Sequence, residues 1–159
     1  MSDMTLDQFS KYLSQVAPQI EDNMNKSIKL CCEKVRSDIQ ESMAKTERDM
    51  SKTYFTNNKT KAHHPSLPGN PPAPDTGNLR NSIRYEVHGE GQEIYGVVGS
   101  TQKDPDYAVY TEYGTTKGGW GGKGMAPRPW LRPAMQKNNE WIRKSIANAV
   151  ANTLKGVNE

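Results

Sequence analysis

The first third of the chain is dominated by one pattern of hydrophobic and polar positions. Apolar side chains recur every three or four residues, at Phe9, Leu13, Val16, Ile20, Met24, Ile28, Cys31, Val35, Ile39 and Met43. This spacing is typical of one face of an amphipathic α-helix. Thr5 and Gln8 fit a capping box at its start. Because Pro18 either kinks the helix or begins a second one, we expect two helices, at about 5–16 and 18–50.

Helical periodicity ends near residue 51. From 51 to 76 the chain is polar and rich in proline, which favours extended polyproline geometry, so we predict an extended arm. His63 and His64 lie in this arm, and His88 and the scattered carboxylates supply no further ligands at a compatible spacing. A solvated histidine pair is therefore preferred to a metal site, and we expect neither a metal nor a cofactor.

Residues 77–113 are predicted to be a β region. In SIRYEVH, Ile83, Tyr85 and Val87 alternate with charged or polar residues, as in a half-buried strand. A glycine-containing turn follows, and EIYGVVGS returns as a second strand. Residues 82–100 are therefore predicted to form a β-hairpin.

The segment DYAVYTEYGTT permits two interpretations. Its three tyrosines would share one face of a helical turn, whereas alternate residues from Tyr107 to Tyr113 would share one face of a strand. We expect a third strand. The tyrosines are interpreted as packing residues with their hydroxyls near the rim, the alternative being a stacking platform for bases.

A glycine-rich loop and a helix complete the chain. Residues 114–127 surround a lone Trp120, which either docks into a pocket of a partner or folds back on its own domain. A C-terminal helix is predicted at 131–155, with an apolar stripe at Ile142, Ile146, Val150 and Leu154.

Composition bounds the fold and the function. The chain has 159 residues, which fits a single domain at 1–159, and its hydrophobic fraction of 33% implies a small core between long proline- and glycine-rich loops. The element order predicts an α+β fold, with a long N-terminal amphipathic helix, a small antiparallel sheet of a hairpin plus a third strand, and a C-terminal helix. The net charge of +3 is scattered along the chain, unlike the basic stripe of a dedicated DNA-binding protein.

Two further features concern the compartment. Cys31 and Cys32 are neighbours in a helical pattern and cannot easily reach disulfide geometry, so we interpret them as reduced and cytoplasmic. The first residues carry Asp3 and Asp7 where a signal peptide needs positive charge, and no apolar run approaches membrane-spanning length. We therefore expect a soluble protein with no membrane contact.

Four short motifs occur in a fixed order along 65–135. They are PGNPPAPDTGNLRNSI, then VGS at 98–100, YAVYTEYGT at 107–115 and PRPWLRPA at 127–134. Together with the flanking helices they resemble the tail-component family of tailed bacteriophages, also called neck or tail-completion proteins. The chain departs from that pattern in a longer arm before the DTG motif and in the GGWGG insertion.

The resemblance implies a structural protein of the virion with no enzymatic activity, assembled in the cytoplasm of the host bacterium. It implies a subunit that multiplies around the virion axis at the head–tail junction or the top of the tail, as a sixfold ring, where it completes the tail or joins head to tail. Its partners would be copies of itself, the head connector or stopper, and the tail tube or tail terminator protein. A passing contact with genomic DNA in the lumen is a further expectation.

Six residues are candidates for contact with these partners, because arginine forks pair with carboxylates and large aromatics anchor interfaces. They are Arg80, Glu112, Trp120, Arg128, Trp130 and Arg132. The alternative is that the charged members form intrachain pairs that hold the motif loops together.

Other function classes stay open at this point. A DNA-binding structural module is the main alternative, supported by the isoelectric point near 8.8 and by arginines in the second half of the chain. A tail terminator and a metal nuclease are the others. The nuclease would use Asp75, Asp104, Asp106 or Glu112, but the sequence has no carboxylate pair at helix or strand spacing with a lysine or histidine base.

Overall fold

The computed structural model describes residues 5–55, 62–91, 93–101, 105–117 and 124–156, and it confirms the α+β class. The elements in chain order are α1 (Leu6–Lys45), β1 (Tyr54–Phe55), β2 (Ala62–His63), α2 (Asn78–Ser82), β3 (Ile83–His88), β4 (Tyr95–Ser100), α3 (Pro105–Tyr113) and α4 (Leu131–Gly156). In the described residues, none of the helices combines the length and the apolar character needed to cross a membrane.

The N-terminal helix is continuous, which corrects the prediction of two helices. α1 has 40 residues with Pro18 inside it. Proline removes one helical hydrogen bond, but Pro18 is exposed, so water can satisfy the carbonyl that loses its donor. The capping box is present: Thr5 N donates to Gln8 Oε1 at 2.9 Å, and Gln8 N donates to Thr5 Oγ1 at 3.3 Å. The helix ends at Lys45, five residues before the predicted end.

Contacts along the chain divide it into two compact units. The first comprises Met1–Glu33, Tyr85–Val97 and Asn139–Glu159, and the second comprises Lys34–Arg84 and Val98–Asn138. The single-domain organisation therefore stays a prediction.

The first unit has a small apolar core. Its buried hydrophobic residues are Val16, Ile28, Cys31 and Cys32. Both thiols are free, and burial raises the pKa of each above its usual value. Polar side chains tie the helices and strand of this unit together: Asn23 Nδ2 donates to Thr153 Oγ1 at 2.8 Å, and the Tyr85 hydroxyl donates to Glu33 Oε1 at 2.7 Å.

The second unit has the larger core. Its buried hydrophobic residues are Val35, Ile39, Met43, Leu79, Ile83, Ala108, Trp130 and Ala134. Buried polar groups accompany them, and these form the junction described below.

The described residues form two small sheets. β1 and β2 pair antiparallel, with Tyr54 opposite His63 and Phe55 opposite Ala62. β3 and β4 are hydrogen-bonded neighbours in the second sheet, which confirms the predicted hairpin.

The predicted third strand is wrong, because residues 105–113 form α3. Ala108, Thr111 and Glu112 are buried, a spacing of three and four that only a helix places on one face. The Thr111 hydroxyl also donates to the Ala108 carbonyl at 2.8 Å, one turn earlier. The three tyrosines lie on the other side of this helix, and all three are substantially exposed rather than packed inside.

Candidate functional site

The start of α4 is built around the carboxylate of Glu112. Its Oε2 accepts hydrogen bonds from the backbone N–H groups of Trp130 at 2.7 Å and Leu131 at 2.9 Å. Its Oε1 accepts from the backbone N of Arg132 at 3.1 Å and from the Arg132 Nε at 2.9 Å. The first N–H groups of a helix lack partners within the helix, so this carboxylate serves as the cap that α4 needs.

The electrostatics of Glu112 match this role. Burial alone would raise the pKa of its carboxyl, but the three backbone donors and the Arg132 guanidinium outweigh burial and hold the pKa below its usual value. A negative charge at a helix N-terminus is also favoured by the helix dipole. Glu112 is therefore ionised, although its side chain is only 4% exposed.

The side chains of Trp130 and Arg132, at the start of α4, make further contacts with α3. The Trp130 indole N–H points at the Thr111 hydroxyl at 3.2 Å and at the Ala108 carbonyl at 3.4 Å. The Arg132 guanidinium donates to the Glu112 carbonyl at 3.2 Å and lies 4.7 Å from the centre of the Tyr113 ring. The last turns of α3 thus hold the first turn of α4 through backbone and side-chain contacts.

Hydrogen bonds also connect a third segment, residues 66–69, to the chain before α4. Arg128 N donates to the Thr111 carbonyl at 2.7 Å, and Gly69 N donates to the Pro127 carbonyl at 3.0 Å. The Arg128 Nε reaches the Ser66 carbonyl at 3.3 Å. We call the set of segments 66–69, 111–115 and 125–132 the motif junction, because it joins three of the four sequence motifs.

A second polar cluster lies elsewhere in the second unit. Asp38 is buried and accepts from Lys34 Nζ at 2.7 and 2.8 Å and from Asn138 Nδ2 at 2.8 Å, with Lys137 Nζ at 3.6 Å. Burial raises the pKa of Asp38, but these donors outweigh it and the net pKa is lowered. Asn138 Nδ2 also donates to the Ala134 carbonyl at 2.9 Å, so this amide nitrogen makes hydrogen bonds to two acceptors within the protein.

The DTGNLRN motif lines an open cleft of about 660 Å³ in the second unit. Its walls are residues 72–82 together with Met43 and Tyr107. Gly77, which precedes α2, has φ of 80°, a left-handed conformation that glycine adopts without strain. Leu79 from α2 is buried, while Arg80 beside it is exposed.

The predicted contact residues fall into three groups. Glu112, Arg128, Trp130 and Arg132 meet in the motif junction. For Glu112 and Arg132, this arrangement corresponds to the alternative in which the two side chains pair within the chain and hold the motif loops together. Arg80 is exposed, and its backbone carbonyl accepts from Gln40 Nε2 at 3.1 Å. Trp120 lies outside the described residues. Contact of any of these with a partner stays a prediction.

The sequence reasoning missed Asp38, Asn138 and Thr111. The spacing of Lys34 and Asp38 by four residues indicated a helical ion pair, but nothing local indicated that Asp38 is buried. Within the described ranges, no group of three or more histidine, cysteine, aspartate or glutamate side chains is arranged to hold a metal ion.

The fold and the motif junction define a small α+β protein in which buried polar groups fix loops and helix ends in place. A family model described as "Bacteriophage HK97-gp10, putative tail-component" matches residues 7–114. The chain therefore belongs to the HK97-gp10-like family of bacteriophage tail components, as the motifs predicted. Searches among curated proteins and among solved structures return no significant match.

The family match includes α1 from Asp7 onward and Glu112, but it ends before PRPWLRPA and α4. Half of the motif junction therefore lies beyond the matched residues. Membership places the chain among structural proteins of the phage tail, and this implies a location in the virion.

Proposed function

We propose that this chain is a ring-forming subunit at the head–tail junction or the top of the tail, required for tail completion or head–tail joining. Membership of the tail-component family is the observation that carries the proposal. A structural subunit acts by presenting fixed surfaces to its neighbours, and no step of this function requires a reaction at the site.

The motif junction supports this role through rigidity. An assembling subunit loses less entropy when its contact segments are already held in one conformation. Here the segment before α4 is held by Glu112 and by the backbone bonds of Arg128 and Gly69, although it lacks regular secondary structure. The described segments 66–69, 111–115 and 125–132 are thus fixed relative to one another.

The proposed partners are copies of the same chain in a closed, sixfold ring, the head connector or stopper, and the tail tube or tail terminator. Head-to-tail contacts between identical copies generate such rings when the rotation closes. Exposed aromatic and aliphatic residues in both units offer surface for these contacts, for example Phe55, Tyr95 and Tyr113.

The test is electron microscopy of a phage lysate in which this gene carries an early nonsense codon. Filled heads beside unattached tails would support a role in joining. Heads with absent or abnormally long tails would instead move the protein to tail assembly or length termination, which is the tail-terminator alternative. Normal infectious particles would overturn the proposal.

The matched control is the same mutant phage grown in cells that supply the wild-type gene from a plasmid. We expect joined, infectious particles to return, because the protein can then be added in trans. A plasmid that carries the nonsense codon should not restore them. Failure of the wild-type plasmid would attribute the defect to a downstream gene rather than to this chain.

A further inference from the structure

Arginines that are far apart in the sequence lie around one cleft of the second unit. This is the open cleft of about 660 Å³ that the DTGNLRN motif lines. Arg80 is one of its lining residues and is exposed. Arg48 is exposed as well, and its Nη2 donates to the carbonyl of Pro74, another lining residue, at 2.9 Å. The fold therefore places two arginines from distant positions at the same cleft.

Two further arginines adjoin this cleft. Arg84 Nη1 donates to the carbonyl of Asn81, a lining residue, at 2.5 Å. Burial raises the pKa of Tyr107, which also lines the cleft, and the nearby positive charge of Arg128 opposes this rise. Arg128 Nε also donates to the Ser66 carbonyl at 3.3 Å, and the Ser66 backbone forms a bridge with residue 48. We call Arg48, Arg80, Arg84 and Arg128 the arginine rim.

The charges of the arginine rim are not neutralised within the described part of the chain. None of the four guanidinium groups forms an ion pair with a carboxylate of the described residues. Three of them donate to backbone carbonyls, which orient a guanidinium without cancelling its charge. Each guanidinium has five N–H donors, so donors remain for a ligand.

Little negative charge opposes the arginine rim at the cleft. Of the described residues that line it, only Asp75 carries a carboxylate. His63 Nδ1 lies 3.7 Å from Asp75 Oδ1, but burial lowers the pKa of His63, so its imidazole is neutral at pH 7 and adds no charge. Four arginines against one aspartate leave this surface positive, and its ligand should be an anion with several charges.

The other polar groups of the cleft favour phosphate as that anion. Hydroxyl and amide side chains line it, and they belong to Thr76, Asn78, Asn81 and Ser82. Tyr107 adds a phenol and is 47% exposed. Guanidinium, hydroxyl and amide groups are the side-chain groups that contact phosphates in protein–DNA complexes. Duplex DNA carries one negative charge per about 1.7 Å of helix axis, so arginines on separate segments can each meet a phosphate.

We propose that the arginine rim binds the phosphate backbone of duplex DNA, without preference for base sequence. Arg48, Arg80, Arg84 and Arg128 would each neutralise a phosphate, and the hydroxyl and amide groups of the cleft would donate to phosphate oxygens. This activity goes beyond the proposed structural role. It does not depend on the ring, because a single copy contains the whole site.

The test measures binding of the purified full chain to a short, fluorescently labelled DNA duplex by fluorescence anisotropy at several salt concentrations. The slope of log K against log salt is about −0.9 for each phosphate neutralised. We therefore expect a slope of about −3.6 when all four arginines contact phosphates. A wild-type chain that does not bind the duplex even at low salt would overturn the proposal.

Arg80→Gln is the first variant, because the Arg80 side chain has no hydrogen-bond partner among the described residues and its removal should leave the fold intact. We expect its affinity to fall about fivefold to tenfold near 0.1 M salt and its slope to become shallower by about 0.9. Arg80→Lys keeps the charge and should retain most of the binding. Adding Arg84→Gln to Arg80→Gln should remove about 0.9 more from the slope.

Arg143→Gln is the matched control. Arg143 is an exposed arginine on the part of α4 that belongs to the first unit, and its Nε donates to Asn139 Oδ1 at 3.2 Å. We expect this variant to bind with the wild-type slope. Urea unfolding of every variant confirms that the compared chains are folded. Equal losses in Arg80→Gln and Arg143→Gln would place the DNA contacts elsewhere and overturn the proposal.

A labelled glutamate oligopeptide distinguishes a phosphate ligand from a carboxylate ligand. We expect wild type to bind the duplex more tightly than a peptide of the same net charge. Tighter binding of the peptide, weakened by Arg80→Gln, would mean that the arginine rim docks an acidic protein surface, and it would overturn DNA as the ligand.

The outcomes separate this inference from the proposed function. If the purified chain does not bind DNA but nonsense-mutant particles are defective, only this inference fails. If the chain binds DNA through the arginine rim but nonsense-mutant particles are normal, the proposed function fails and this inference stands.

Discussion

The Glu112 carboxylate accepts a 2.7 Å hydrogen bond from the backbone N–H of Trp130, 18 residues further along the chain. This bond joins the YAVYTEYGT motif to the PRPWLRPA motif. The first motif supplies the acid, and the second supplies a helix start whose N–H groups need an acceptor. The two motifs are therefore parts of one structural device.

Replacing Glu112 by glutamine tests this device. One amide oxygen cannot satisfy the three backbone donors and Arg132, and the amide NH₂ would face other donors. We expect Glu112→Gln to lower the free energy of unfolding by about 3 kcal/mol, in the range found when a buried charged partner is removed. Urea unfolding followed by circular dichroism measures the change.

Glu140→Gln serves as the control for that experiment. It makes the same chemical change on an exposed part of α4, and we expect little change in stability. If both variants unfold at the same urea concentration, the Glu112 carboxylate is not the cap that the geometry indicates.

The lowered pKa of Glu112 also predicts a pH dependence. The carboxyl has a lower pKa in the folded chain than its unfolded value of about 4.5, so its contribution is complete above that pH. The contribution is lost as the pH falls through the folded pKa. The difference in unfolding free energy between wild type and Glu112→Gln should therefore be constant from pH 7 to about 5 and shrink below about 4.5.

The measurement is a series of urea titrations at several pH values for both proteins. Using the difference between them removes the contribution of other groups, such as His63, whose pKa is lowered by burial. A gap between the two proteins that widens as the pH falls would contradict the assignment.

An element of the fold could be predicted from the sequence where the spacing of its apolar residues fits only one type of secondary structure. The apolar spacing of α1 and the alternation around Ile83 each fit one structure, and both elements are present. Tyr107, Tyr110 and Tyr113 fit a helix face, and alternate residues of the same segment fit a strand face. The segment forms a helix rather than a strand because a helix buries Thr111 and Glu112 against Trp130. The spacing of residues within the segment cannot predict this contact, because Trp130 lies outside it.

The candidate site shows the same division. Glu112 and Arg132 could be predicted as candidate contact residues because arginine and carboxylate pair well. The three backbone N–H groups that donate to Glu112 could not be predicted, because no residue type marks them in the sequence. Asp38 and Asn138 were missed because they are 100 residues apart in the chain, and a polar residue on a helix is usually exposed.

The Asp38–Asn138 contact predicts an unusual response to acid. Asn138→Asp would place a second carboxylate beside the buried Asp38, and like charges raise the pKa of one member of such a pair. We expect the variant to lose about 2–3 kcal/mol at pH 7 and to regain part of this as the pH falls towards 5, where the raised group binds a proton.

Urea unfolding at pH 7 and pH 5 measures this recovery. Asn139→Asp is the matched control, because Asn139 is exposed and its side-chain oxygen accepts from Arg143 Nε at 3.2 Å. We expect the control to show no such gain at low pH. A variant Asn138→Asp that becomes less stable on acidification, relative to wild type, would argue against a shared proton.

At Gly96, β4 lies close to α1, and adding a methyl group at this residue tests how close the two elements are. A Cβ added there would overlap the Cys32 sulfur and lie 3.0 Å from Ile28 Cγ2, whereas a Cβ at Gly99 meets nothing within 4 Å. We expect Gly96→Ala to cost about 1–3 kcal/mol, as overpacking does, and Gly99→Ala to have little effect. Because the overlap is with one sulfur, Cys32→Ala should recover part of the loss in the double variant, as a double-mutant cycle of urea midpoints measures. Additive effects of Gly96→Ala and Cys32→Ala would mean that β4 and α1 do not approach each other at this point.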